Sequence, residues 1–223
     1  VEDTAKLIAQ QTARSLIYRR LADAFRLPES GLAKILEELK TALADLGSEA
    51  VDLIESYHGD TDLEALRLDH TALFVGPFLS PAPPYGSIYL EEERRLMGDS
   101  TEDARKHYLS LGLDLSDDFK EAPDHIAAEL EFMYVLIRHS LHAIETADHE
   151  LLTELVRHQD VFLQNHLGQW IPPFTDKMIE YSRTDFYRSL AMMTRSFVAE
   201  DRKAVQEAAA LLYETQNPAQ VFT

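Results

Sequence analysis

A chain of 223 residues, 45% of them hydrophobic and only 8 of them glycine, is long enough for one large domain or two small ones and reads as globular, not disordered. Its formal charge of -18, from 39 acids against 21 bases, disfavours nucleic-acid phosphate. The absence of cysteine excludes disulfides, thiolate metal sites, iron-sulfur ligation and a cysteine nucleophile. No apolar run approaches the ~18 residues of a membrane span and no signal-peptide pattern opens the chain, so the expectation is a cytoplasmic protein with no membrane span.

Helical periodicity recurs from end to end. Ala13, Ile17, Leu21 and Phe25 predict a helix that ends before Pro28. Leu32, Ile35, Leu36, Leu39, Leu43 and Leu46 predict another, begun near Ser30 and stopped at Gly47. Val51, Ile54 and Tyr57 mark a short helix closed by Gly59, and Thr61 with Glu64 forms a capping box leading to Leu66, Leu73 and Phe74. A short helix is expected over about Leu90 to Met97, closed by Gly98, and one capped by Ser100 and Asp103 runs to about Leu111. The rhythm lapses over Gly112 to Pro123. From Asp124 the positions Ile126, Leu130, Met133, Ile137, Leu141 and Ile144 give the clearest amphipathic helix of the chain. Helices over about Asp148 to Leu167, Asp185 to Val198 and Asp201 to Glu214 follow, the first two separated by a turn at Trp170-Ile171-Pro172-Pro173-Phe174. No sustained period of two appears, so the fold class is all-α: about ten helices in two sub-bundles. The expected divisions are 1-115 with its loop 76-89, a hinge at 116-123, a second sub-bundle at 124-214 and a tail at 215-223, which is mobile or docks on a partner.

Two segments break the pattern. The stretch from Gly76 to Tyr89 holds Pro77, Pro81, Pro83 and Pro84, which remove four backbone donors and exclude a helix through them. It is either a stiff connector, with Phe78, Tyr85 and Tyr89 plugged into the core, or a rigid apolar surface suited to gripping a peptide. The second segment is Glu121-Ala122-Pro123-Asp124-His125, which opens the clearest helix. At 100° per residue Glu129 lies on that helix's apolar arc, and His125, one turn earlier, is its nearest local partner. Asp124 and His125 either cap and pair structurally or line a ligand pocket.

Metal and nucleotide motifs are sparse. Only Glu55 to His58 has the Glu-x-x-His spacing of a di-iron bundle, and the helical trio His139, His142 and Glu145 reads as solvated surface. Gly-rich phosphate cradles and a serine-nucleophile elbow are absent, so no metal ligand and no catalytic residue is assigned.

Leu73-Phe74-Val75-Gly76-Pro77, followed by Ala82-Pro83-Pro84-Tyr85-Gly86-Ser87-Ile88-Tyr89, resembles the signature of the TorD/DmsD/NarJ group of redox-enzyme maturation chaperones. Glu121 to His125, with the helix to Phe132-Met133, resembles that group's Glu-Pro-x-Asp-His element, with the proline one place later. Tyr18 to Phe25, His166 to Phe174 and Phe186-Tyr187 fall where its weaker patterns lie. The resemblance implies a TorD-like helical chaperone, not an enzyme, that binds an apo molybdoenzyme catalytic subunit and often its twin-arginine leader peptide, assisting cofactor insertion and delaying export. It implies client contacts at Pro84, Tyr85, Ser87, Asp124 and His125, with Phe78 and Tyr89 as neighbours. Pro83, Pro84 and Tyr85 would floor the groove, and Asp124 would be first of the acids to pair with leader arginines. No cofactor is implied, although some members bind guanine nucleotide weakly, and both a monomer and a dimer domain-swapped at the Asp-His element occur. Two other readings stay open: a metal- or nucleotide-dependent hydrolase using Asp124, His125 and Glu129, and a helical adaptor whose loop is architectural.

Overall fold

The structure, a computed structural model, describes residues 2-55, 62-76, 80-92, 95-116 and 118-216. Phe78, the Thr61 cap, the His58 spacing and the end of the tail lie outside these residues. Among the described residues the chain forms ten α-helices and one π-helical turn: α1 (Glu2–Ala24), α2 (Leu32–Leu46), α3 (Val51–Glu55), α4 (Leu63–His70), the π turn (Thr71–Val75), α5 (Ser87–Leu90), α6 (Asp99–Ser110), α7 (Ile126–Glu145), α8 (His149–Asn165), α9 (Leu167–Tyr181) and α10 (Asp185–Gln216). Their only β-type pairing is an isolated bridge between Tyr85 and His125. The all-α expectation holds, and no described helix is long and apolar enough to cross a membrane.

Packing follows the apolar stripes. α1 lies chiefly against α7 and α2, α10 against α9 and α8, and α7 against α8. Ile17, Tyr18 and Leu21 of α1 share one hydrophobic core with Leu130, Met133 and Ile137 of α7 and with Leu190 and Phe197 of α10. Residues on both sides of 116-123 therefore contribute to a single core. Gly47 ends α2 in the left-handed region (φ 73°), where its lack of Cβ removes the strain another residue would meet.

Several boundaries differ from expectation, each for a local reason. Asp62 caps α4, accepting from the Glu64 and Ala65 amides. The short helix expected near 90-97 lies earlier, at α5, and Glu91 after it turns back to accept from the Ser100 amide (2.9 Å) and hydroxyl (2.7 Å). Glu91 thus does the capping expected of Ser100 and Asp103 at the start of α6. The Trp170 to Phe174 stretch is not a turn but the interior of α9, prolines included. Pro172 leaves the Gly168 carbonyl without its i+4 donor, and Arg202 from α10 donates to that carbonyl instead (3.3 Å). The two helices expected over 185-214 are one helix of 32 residues. Asp201, expected to begin a separate helix, is buried and accepts from Arg14 (Nη2 to Oδ2, 2.9 Å) and the Tyr18 hydroxyl (2.7 Å) of α1.

Candidate functional site

The proline-rich stretch and the start of α7 meet as backbone. The Gly86 amide donates to the Asp124 carbonyl (2.9 Å) and the Ile126 amide to the Pro84 carbonyl (2.9 Å), so Tyr85 and His125 between them pair as an isolated antiparallel bridge. Prolines leave the stretch few amides to satisfy, and that of Gly86 is satisfied here. Upstream, the Ala82 amide donates to the Leu73 carbonyl (3.1 Å), which ties the loop to the π turn. Gly86 sits close to the Trp170 indole: a Cβ there would stand 3.0 Å from Nε1.

Asp124 and Ser87 are both 0% exposed, and Asp124 Oδ2 accepts from the Ser87 amide (2.7 Å) at the start of α5. The cap of α7 is therefore His125, whose Nδ1 accepts from the Ala127 amide (3.2 Å), while Asp124 braces the loop. The Tyr108 hydroxyl donates to the Pro123 carbonyl (2.7 Å) and pins the same junction from α6.

The outward side of the junction is aromatic and acidic. The Tyr85 and His125 rings meet edge to face at 5.2 Å, and Phe119 meets His125 at 5.9 Å. Tyr85 donates to the exposed Glu121 carboxylate (2.5 Å), and burial together with that acid pushes the Tyr85 phenol well above its usual range. Burial lowers His125 to about 4, so it is neutral at pH 7 and free to accept at Nδ1. Pro83, Tyr85 and His125 are half-buried, whereas Pro84, Ser87 and Asp124 are fully covered. Tyr89, itself half-buried, stacks on the buried Trp170 at 5.9 Å and 13° and packs against the core. Of the aromatics expected to plug the core, Tyr89 packs against it while Tyr85, equally half-buried, meets His125 at the junction.

Beside this junction a groove of about 420 Å³ runs between residues 113-116 and 118-119 on one side and α7 on the other, lined by Leu113, Leu115, Phe119, Ala128, Phe132 and Val135 with Arg19, Arg26 and Glu131. Phe119 belongs both to its wall and to the His125 contact. The sequence offered no periodicity over this segment, so Phe119 and Leu115 were not among the expected site residues. A larger recess of about 530 Å³ lies elsewhere, between α1, α8 and the second half of α10, and includes none of the loop residues.

Glu129 is 0% exposed, as its place on the apolar arc requires, but its partner is not His125. The Trp170 indole donates to Glu129 Oε2 (2.9 Å) and His166 Nδ1 stands 3.4 Å from Oε1. His125 caps the helix from an extended backbone (φ -68°, ψ 139°), which turns its ring toward Tyr85 and away from the core. Burial raises the Glu129 carboxyl, and His166 and Trp170 oppose that. Burial would depress the His166 imidazolium, but Glu129 and Asp103 outweigh it and raise its pKa. Asp124, His125 and Glu129 thus serve three different partners and form no shared catalytic constellation.

Comparison with known proteins gives a consistent set of relatives. Residues 28–176, about two thirds of the chain, match the model of the nitrate reductase delta subunit family. A chaperone protein TorD of Vibrio parahaemolyticus is 30% identical over 74% of this chain and 80% of that protein. One from a Psychrobacter species is 29% identical over 90% of this chain and 95% of that one. A Tat proofreading chaperone DmsD of Salmonella typhi is 29% identical over 70% and 69% of the two chains. Among solved structures, a redox enzyme maturation protein from Archaeoglobus fulgidus matches the fold with a TM-score of 0.54 and 24% identity, over 83% of this chain and 93% of that one.

Proposed function

Since the chain belongs to the nitrate reductase delta subunit family, we propose that it is a cytoplasmic chaperone that holds an immature molybdenum-cofactor oxidoreductase subunit until the cofactor is in place. It is a chaperone and not an enzyme, in keeping with its curated relatives. The client is gripped through a short apolar segment, and in exported clients through the twin-arginine leader.

The observation that carries this reading is the backbone pairing of Tyr85 with His125. It fuses a proline-stiffened loop and a helix start into one surface with Pro83, Tyr85, His125 and Phe119 on its outer side. Such a surface loses little side-chain entropy when it closes on a peptide. The adjoining groove, walled by Leu113, Leu115 and Phe132, receives the apolar residues of the client. Exposed acids at Glu121, Asp114 and Asp118 face a basic leader, and the net charge of -18 draws it in. Buried Asp124 and Ser87 act through the loop they brace, and Glu121 takes the arginine-pairing role. The 116-123 segment is the proposed hinge between sub-bundles, across which a swapped dimer would exchange α7 to α10.

Calorimetry with a twin-arginine leader peptide tests the assignment. The expected result is at least about tenfold weaker binding by Tyr85→Ala and a weaker salt dependence for Glu121→Gln, with melting temperatures close to wild type. Unchanged affinity in both variants refutes the surface.

A further inference from the structure

Asp103 and His107 stand one turn apart on α6, and His166, at the junction of α8 and α9, comes to meet them. Asp103 Oδ2 lies 3.1 Å from His166 Nε2 and 3.8 Å from His107 Nε2. One donor atom from each of the three falls within 4.8 Å of the other two, the only such grouping among the described residues. A tetrahedral zinc ion with bonds of about 2.1 Å spaces its ligands about 3.4 Å apart, between the two measured edges.

The nitrogens facing away from this point also have polar neighbours. His166 Nδ1 is backed by the buried Glu129 carboxylate at 3.4 Å, and His107 Nδ1 by His158 Nε2 at 2.7 Å. Metal-bound imidazoles are oriented and held in one tautomer by such partners on the far nitrogen. Exposure falls off inward: the Asp103 side chain is 52% exposed, His107 17% and His166 2%. The site is buried at its His166 floor and exposed at its Asp103 side.

We propose that Asp103, His107 and His166 bind a divalent transition-metal ion, zinc foremost, with Glu129 and His158 as positioning residues behind the two imidazoles. Two nitrogen donors and one carboxylate oxygen suit zinc, nickel or cobalt and not magnesium or calcium, which take all-oxygen sites. The Asp103 carboxylate supplies negative charge directly opposite the positive charge of the ion. Bound there, the ion clamps α6 to the α8–α9 junction, behind the Trp170 indole that Glu129 also holds. This inference is independent of the client surface described above.

Isothermal titration of the full chain, stripped with a chelator, with zinc chloride and separately with magnesium chloride tests it. The variants are Asp103→Asn and His107→Gln, both at partly exposed positions, and the surface pair His139→Gln with His142→Gln. The expected result is one zinc per chain, no magnesium binding, at least about tenfold weaker zinc binding in each of the first two variants and wild-type binding in the surface pair. Circular dichroism of the chelator-treated variants confirms that they fold, and cobalt substituted for zinc gives visible d-d bands in wild type that Asp103→Asn diminishes. Absence of stoichiometric zinc binding, unchanged affinity in Asp103→Asn and His107→Gln, or loss confined to the surface pair overturns the proposal.

Discussion

Asp124→Ala removes the acceptor of the Ser87 amide, and the magnitude can be worked from the contact. The bond is 2.7 Å long, its acceptor is a carboxylate, and both residues are 0% exposed, so water cannot replace what is lost. A hydrogen bond to a charged group contributes about 1.5–3 kcal/mol, and the orphaned buried amide keeps the cost near the upper end. We expect destabilisation of about 2–4 kcal/mol, and about half of that or less for Asp124→Asn, which keeps an acceptor oxygen. Urea unfolding followed by fluorescence is the assay, because Trp170 is the chain's single tryptophan and stacks on Tyr89 of the braced helix. Leader binding by Asp124→Asn separates bracing from direct contact: a brace predicts affinity near wild type in that variant. A change below about 0.5 kcal/mol in Asp124→Ala, or equal destabilisation by Ala and Asn, refutes the bracing argument.

Two further outcomes follow from buried groups. His125 has its pKa lowered to about 4 from 6.5 by burial, so the fold favours its neutral form; the stability it supports is complete above 6.5 and falls as pH drops from 6.5 toward 4. Wild type should therefore lose up to about 3 kcal/mol more than His125→Asn between pH 7 and 4, read by urea midpoints, and parallel losses would contradict the assignment. Asp201→Ala leaves the Arg14 guanidinium buried without its partner and the Tyr18 hydroxyl without its acceptor, and should cost about 3–5 kcal/mol in thermal or urea unfolding. A cost under about 1 kcal/mol would mean that water reaches the pair.

The parts of this fold that rest on local patterning are legible in the sequence. The stripe from Ile126 to Ile144 and the left-handed glycine after α2 announce their helices without help from the rest of the chain. Glu129 could be placed in the core because its angle on α7 depends only on its own neighbours. What sequence does not carry is the identity of partners from distant elements. Pro172 and Pro173 look like a turn until Arg202 of α10 supplies the missing donor to Gly168. Asp201 looks like a helix start until Arg14 and Tyr18 claim it from the other end of the chain. Glu129 pairs with Trp170 and His166 of another helix, although a lone buried tryptophan needing an acceptor was a usable hint. Asp103 and His107 show their i, i+4 spacing in sequence, but only the fold adds His166.

The central claim is that clients bind where the proline-stiffened loop meets the start of α7. Site-specific photocrosslinking addresses it most directly, with benzoylphenylalanine placed in turn at Tyr85, at Phe119 and at Leu211, which is 64% exposed beside the larger recess. The account predicts adducts with a twin-arginine leader or apo catalytic subunit from positions 85 and 119 and none from 211. Adducts from 211 with none from 85 or 119 would contradict it.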